Sequence, residues 1–187
     1  LFDRAGLGDG QTVLIHAGAG GVGHVAIQLA RSVGARVATT VSTVAKAEFV
    51  RELGAEKIID YRRQDITAQI MDWTGGRGVD VVLDTVGGET FRQSLSAARV
   101  YGHVVTLLDP GTDVVWKTAR DRNLSIAFTL MLTPMLQDLP DARHHQGEIL
   151  QRCAQLVKTG QLTPHVMSTL PLEEVARAHR AIEEGHV

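Results

Sequence analysis

The 187-residue chain has a single cysteine, Cys153, so no internal disulfide can form and a cytoplasmic protein is the default expectation. It also lacks an excess of either charge: 19 Lys and Arg against 21 Asp and Glu leave a net −2, with no basic stripe. That removes the electrostatic footprint nucleic acid or an anionic membrane surface would need. Long apolar runs are missing too, and the stretch from Ser125 to Leu132 falls far short of the roughly 20 residues that span a bilayer. The opening residues, Leu1, Phe2, Asp3 and Arg4, form neither a charged n-region nor an apolar h-region, so no signal peptide is expected. What is present is ordinary for a globular chain, 44% hydrophobic and 21% charged. This length supports one domain, residues 1–187, burying roughly 70% of its unfolded surface.

Apolar, β-branched runs alternate with amphipathic stretches to about residue 130. The pattern predicts strands over 12–17, 36–41, 57–60, 79–86, 103–108 and 124–130, with helices over 21–33, 44–53, 66–73 and 89–98 between them. In the first helix Val22, Val25, Ala26, Leu29, Ala30 and Val33 share a face at spacings of three and four, and Gly34 stands where a left-handed cap would end it. Strands apolar on both faces, separated by amphipathic helices, imply an α/β fold: a doubly wound, Rossmann-type parallel sheet in the order 3-2-1-4-5-6. Beyond residue 133 helices over 147–158 and 172–184 are expected, separated by Pro-containing turns.

Between the first strand and its helix lies Gly18-x-Gly20-x-x-Gly23, the context that a dinucleotide-binding glycine motif requires. Its glycines supply a tight turn, close backbone approach to a pyrophosphate and close helix–sheet contact, and the helix start presents N–H groups to the anion. A bare strand-to-helix turn would use the same residues. After the second strand an NAD-specific unit wants Asp or Glu to meet the ribose hydroxyls. Here the chain reads Thr39, Thr40, Val41, Ser42, Thr43, with no acid before Glu48. Without a repelling carboxylate, Ser42, Lys46 and the Tyr61-Arg62-Arg63 run leave room for a 2′-phosphate, which favours NADPH over NADH. Lys46, Arg62 and Arg63 equally fit solvated surface charges.

The run from Thr12 to Ala30 resembles the zinc-independent, quinone-oxidoreductase-like branch of the medium-chain dehydrogenase/reductase superfamily. The likeness continues through Leu53-Gly54-Ala55, Ile58 to Arg62, Gly78 to Gly88, Gly102 to Leu107 and the closing Gly160, Pro164 and Leu172 to His179. Carried over by position, it implies that Gly20, Gly21, Val22 and Gly23 hold the pyrophosphate and that Ser42, Lys46 and Tyr61 surround the 2′-phosphate. Gly88 would lie beside the ribose; Leu107, Leu108 and Asp109, with Phe128, Thr129 and Leu130, would flank the nicotinamide. In that family a GroES-like catalytic domain precedes this region, and a further strand follows a Gly-Lys pair where this chain has Gly185, His186 and Val187. The chain therefore reads as an excised domain or as one lobe of a larger polypeptide.

The resemblance implies hydride transfer from NADPH to a quinone or activated alkene, with no zinc and no catalytic residue in this lobe. A zinc-dependent alcohol dehydrogenase cofactor domain and a non-catalytic dinucleotide-binding module stand as alternatives. His144, His145, His165, His179 and Cys153 do not make a zinc-ligand spacing, and the histidine pair reads as solvated surface. Asp84 reads as shaping the turn near the ribose, Trp73 and Trp116 as packing residues, and Cys153 as a buried thiol. The sixth strand should carry an uncharged apolar edge, Ile126, Ala127, Phe128 and Leu130, and such an edge invites a homodimer unless the C-terminal helices cover it.

Overall fold

A computed structural model describes residues 1–184; the expectation for Gly185, His186 and Val187 lies outside the described residues. The strands β1 (Thr12–Ile15), β2 (Arg36–Val41), β3 (Lys57–Asp60), β4 (Val79–Asp84), β5 (Ala98–Thr106) and β6 (Ser125–Phe128) form one parallel sheet in the order β3-β2-β1-β4-β5-β6. The central strands β1 and β4 are buried along their whole length, as strands covered on both faces must be. Side-chain alternation divides their residues between two cores. Val13 and Ile15 join Ile27, Val37, Val50 and Leu83 on one face; Leu14 joins Ile59, Ile70, Val82, Phe91 and Leu95 on the other.

The first face carries α1 (Phe2–Ala5), α2 (Gly23–Ser32) and α3 (Val44–Glu52); the second carries α4 (Ile66–Trp73), α5 (Gly88–Ala97) and α6 (Trp116–Asp121). Helix starts are fixed by ordinary capping: the Thr43 hydroxyl accepts from Lys46 N–H at 3.2 Å, and the Asp65 carboxylate accepts from Ala68 N–H at 2.7 Å. Gly34 closes the turn after α2 at φ +80°, the conformation a glycine cap supplies. β1 and β4 lie side by side where the strand order reverses, so their carboxyl ends open a crevice.

Boundaries depart from expectation where a side chain redirects the backbone. The fourth strand stops at Asp84, not at residue 86, because its carboxylate takes the N–H groups of Val86 and Gly87, each at 3.0 Å. The fifth begins at Ala98 with a bulge before His103, where Arg99 donates to the Val100 and Tyr101 carbonyls and Tyr101 sits at φ +58°. The helix expected from Gly147 starts instead at Pro140: α8 (Pro140–Lys158) uses a proline preset for the first turn, following the short α7 (Thr133–Leu136). The last helix divides into a 3₁₀ turn at Leu172–Glu174 and α9 (Val175–Glu183).

Neither α8 nor α9 buries a residue. The chain leaves 11198 Å² exposed, so only about 60% of its unfolded surface is covered, below the roughly 70% expected for this mass. Cys153 is half-buried beside Phe2 and Leu29, not enclosed, and Trp116 is half exposed with its edge toward Phe91.

Candidate functional site

At the end of β1, Ala17 adopts a left-handed φ of 51° and turns the chain into the glycine loop. The glycines there divide into two kinds. A Cβ on Gly18 would lie 2.0 Å from the Thr39 hydroxyl, and one on Gly23 would lie 2.3 Å from the Ala17 carbonyl, so both are demanded by packing. A Cβ on Gly21 would meet nothing within 4 Å, so the chain's own packing does not require glycine there. Among the described residues nothing accepts a hydrogen bond from the Gly21 or Val22 N–H, and α2 begins just beyond. Bare backbone donors at a helix start suit an anion.

Three depressions lie along the carboxyl ends of the strands, and the loop borders two of them. The first, about 470 Å³, brings Gly20 and Gly21 together with Lys46, Phe49 and His165. The second, about 330 Å³, lies between the ends of β1, β3 and β4 and places Tyr61 with His16, Thr40, Gln64, Thr90 and Gln93. The third, about 550 Å³ and mainly apolar, takes Leu107, Phe128, Thr129 and Leu130 from the ends of β5 and β6. Most of the expected site residues therefore border one continuous end of the sheet. Ser42 is half-buried at the end of β2 and lines none of the three. Leu108 and Asp109 are exposed and pack beside the turn at Gly87, whose added Cβ would lie 2.7 Å from the Asp109 carbonyl. The adjoining Gly88 faces open space at φ +54°.

Two buried polar groups brace this end of the sheet. The Asp84 carboxylate, with no exposure, accepts from Val86 and Gly87 N–H through one oxygen and lies 3.0 Å from the Thr106 hydroxyl through the other. This is the turn-shaping part expected of it. His16, also fully buried, has Nε2 3.1 Å from the Ser94 hydroxyl. Ser94 donates its one hydrogen to the Thr90 carbonyl at 2.8 Å, so its oxygen accepts from His16 Nε2–H and Nδ1 is left as a bare acceptor. Burial pushes the imidazole down to about 4, against the opposing pull of Asp84. The Thr129 hydroxyl is the other buried polar group without a partner among the described residues. Such orphans await a water or a ligand.

Sequence reasoning passed over His24 and Gln28, which stand one turn apart on α2. The His24 ring receives the His165 N–H at Nε2 (3.1 Å) and donates from Nδ1 to the Gly20 carbonyl (2.9 Å), so it is the neutral Nδ1–H tautomer. Their i, i+4 spacing was the available signal. His145, exposed on α8, pairs with Asp3 at 2.7 Å, and this partner together with Glu148 raises its pKa. No group of three or more His, Cys, Asp and Glu among the described residues is set to hold a metal. No helix of the described residues is long and apolar enough to cross a membrane.

Comparison with known proteins places this geometry in context. A family model described as zinc-binding dehydrogenase matches residues 53–187. The 2-haloacrylate reductase of a Burkholderia species is 39% identical over 178 residues, covering 91% of this chain and 51% of that protein. An alcohol dehydrogenase superfamily protein from Novosphingobium aromaticivorans superposes with a TM-score of 0.88 at 39% identity, over 97% of this chain and 54% of its own. The Escherichia coli quinone oxidoreductase, solved in complex with NADPH, gives a TM-score of 0.83 at 29% identity, over 95% and 55%. The chain spans about half the length of each.

Proposed function

The chain belongs to the zinc-binding dehydrogenase family, within the medium-chain dehydrogenases and reductases, and on that premise we propose that it is the NADPH-binding lobe of an oxidoreductase reducing a quinone or an activated alkene. The observation that carries this reading is the open face at Gly21, beside unclaimed N–H groups at the start of α2. It fits a pyrophosphate as a packing glycine would not.

In this reading Gly20, Gly21, Val22 and Gly23 hold the pyrophosphate, and Lys46 is the main contact to the 2′-phosphate. Ser42 and Tyr61 are assigned to the same group from the ends of β2 and β3, Tyr61 lining a depression separate from that of Lys46 and Ser42 lining neither. The depression containing Tyr61, Gln64 and Gln93 takes the adenosine, with Gly88 beside the ribose. The apolar walls of Leu107, Phe128 and Leu130 receive the nicotinamide, with the unpartnered Thr129 hydroxyl available to its carboxamide and Leu108 and Asp109 at the rim. Bound there, the nicotinamide would supply a hydride at C4. The chain's own residues bind it, orient it and exclude water from one side; none of them is assigned proton transfer, and no metal is assigned to this lobe.

The relatives named above suggest the substrate class, since one is named for reducing haloacrylates and another for reducing quinones. The uncovered surface supports a lobe built to pack against further protein. Part of that surface is the outer edge of β6, which pairs only with β5 among the described strands and leads into exposed Phe128, Leu130 and Met131. A homodimer through this edge, in the cytoplasm, completes the reading. The direct test is Gly21→Asp: its side chain has room, so the fold should persist while NADPH binding is lost. Unchanged NADPH affinity in that variant would contradict the reading.

A further inference from the structure

The segment 163–170, which is neither helix nor strand, contributes His165, Met167 and Ser168 to the depression that also contains Gly20 and Gly21. Among the described residues, every hydrogen bond it makes goes to a side chain of α2. Gln28 takes both main-chain groups of Thr163, accepting its N–H at 2.8 Å and donating to its carbonyl at 3.1 Å. His24 accepts the His165 N–H at 3.1 Å. The exposed His165 ring then rests against Phe49 with centroids 5.1 Å apart. His165, Met167 and Ser168 thereby form a wall of the depression whose floor is Gly20 and Gly21.

We infer that His24 is a positioning residue for the dinucleotide, joining two parts of its site through one ring. Its Nδ1–H holds the Gly20 carbonyl, which orients the peptide leading to Gly21, while Nε2 seats the 163–170 segment opposite Lys46. The ring is nearly enclosed, so both bonds are sheltered from water and neither is readily replaced. Anything that orders the Gly20–Gly21 peptide favours the neutral Nδ1–H tautomer, and that tautomer alone can receive the His165 N–H. Occupancy of the glycine loop and seating of the segment therefore reinforce one another, and the coupling is reciprocal.

This inference rests on the cofactor reading, and its test separates the two. Amide hydrogen exchange across residues 163–168 and NADPH affinity are measured together on the whole 187-residue chain, wild type and variants. In wild type, saturating NADPH should slow exchange at the segment. Gln28→Leu frees Thr163 without touching the glycine loop; it should speed exchange there and weaken NADPH about five-fold, the equivalent of one hydrogen bond of about 1 kcal/mol. His24→Asn keeps a donor near the Nδ1 position and loses the Nε2 acceptor, so it should behave like Gln28→Leu. His24→Gln reaches toward His165 and should restore the segment's protection. The inference is overturned if wild type binds NADPH with no change in exchange at 163–168, or if Gln28→Leu and His24→Asn bind NADPH as wild type does. Absence of NADPH binding to wild type would overturn the cofactor reading as well.

Discussion

The Asp80 carboxylate of β4 grips Thr12 of β1 twice, receiving its N–H at 2.8 Å and its hydroxyl at 2.7 Å through the same oxygen. Thr12 Oγ1 lies 3.1 Å from the returning Asp80 N–H, and Arg99 donates to the other carboxylate oxygen at 2.7 Å. This latch sits at the amino ends of the two central strands, opposite the crevice, and keeps them in register where the sheet order reverses.

Burial disfavours the charged form of Asp80, but the Thr12 and Arg99 hydrogen bonds and the nearby Arg77 outweigh it and hold the pKa below the ordinary carboxylate value. A depressed carboxylate contributes stability above its unfolded pKa of about 3.9 and loses it as pH falls through the folded value. Asp80→Ala should cost about 1–3 kcal/mol at pH 7, since it leaves the buried Thr12 N–H and hydroxyl without their acceptor. It should also flatten the acid limb of stability below pH 4. Urea unfolding of both proteins across pH 2–7 checks this, and parallel acid limbs would contradict it.

His16 acts over a higher window. Its folded pKa of about 4 lies below the unfolded value of about 6.5, so the unfolded chain binds the extra proton between them. Stability should therefore rise with pH from about 4 to 6.5, by about 3 kcal/mol from this group alone, and level off above. His16→Gln removes the titration and should reduce that slope. Denaturant midpoints in the two proteins at pH 4.5 and 7 decide it.

The loop glycines should separate by phenotype. Gly23→Ala drives a Cβ to 2.3 Å from the Ala17 carbonyl and should cost about 1–3 kcal/mol of stability, as an overpacked site does. Gly21→Ala meets open space and should leave the melting temperature nearly unchanged while weakening NADPH. Thermal melts with and without NADPH measure both effects. Equal destabilisation by the two variants would remove the distinction between packing and binding glycines.

The outer edge of β6 should mediate a homodimer. Sedimentation at micromolar concentration should give twice the chain mass, and Phe128→Lys, placing a charge on that exposed edge, should return it to the monomer. A wild-type monomer, its mass untouched by the substitution, would refute the interface.

How much of this was legible in the sequence depends on where the determinants lie. Strand order followed from two-sided apolar runs such as Val79 to Leu83, and β2, β3 and α4 appear with the boundaries read from their periodicity. Gly34 marked the end of α2 because a positive φ asks for glycine locally. Polar partners distant in sequence could not be read this way. Nothing near Thr12 announces Asp80, and nothing near His24 announces His165, because those pairs exist only once the sheet has assembled. The start of α8 was missed because Gly147, which resembled a boundary, stands inside a 19-residue helix that absorbs its cost of about 1 kcal/mol relative to alanine. Among the expected site residues, Leu107, Phe128, Thr129 and Leu130 share one depression, whereas Lys46 and Tyr61 line two others, Ser42 lines none, and Leu108 and Asp109 follow a loop path that periodicity does not encode.

The central claim is that this chain binds a nicotinamide dinucleotide at the glycine loop and prefers the 2′-phosphorylated form. Calorimetric titration of NADPH and NADH into the wild-type chain and into Lys46→Ala tests it most directly. Lys46 is exposed beside Gly20 and Gly21, so its contact with a 2′-phosphate should be worth about 1.5 kcal/mol, the low end for a charged hydrogen bond. Expected are saturable binding of both cofactors with NADPH the tighter, an approximately ten-fold loss for NADPH in the variant, and NADH almost unaffected. No saturable binding of either cofactor, tighter binding of NADH, or an equal loss of both in Lys46→Ala would contradict the claim.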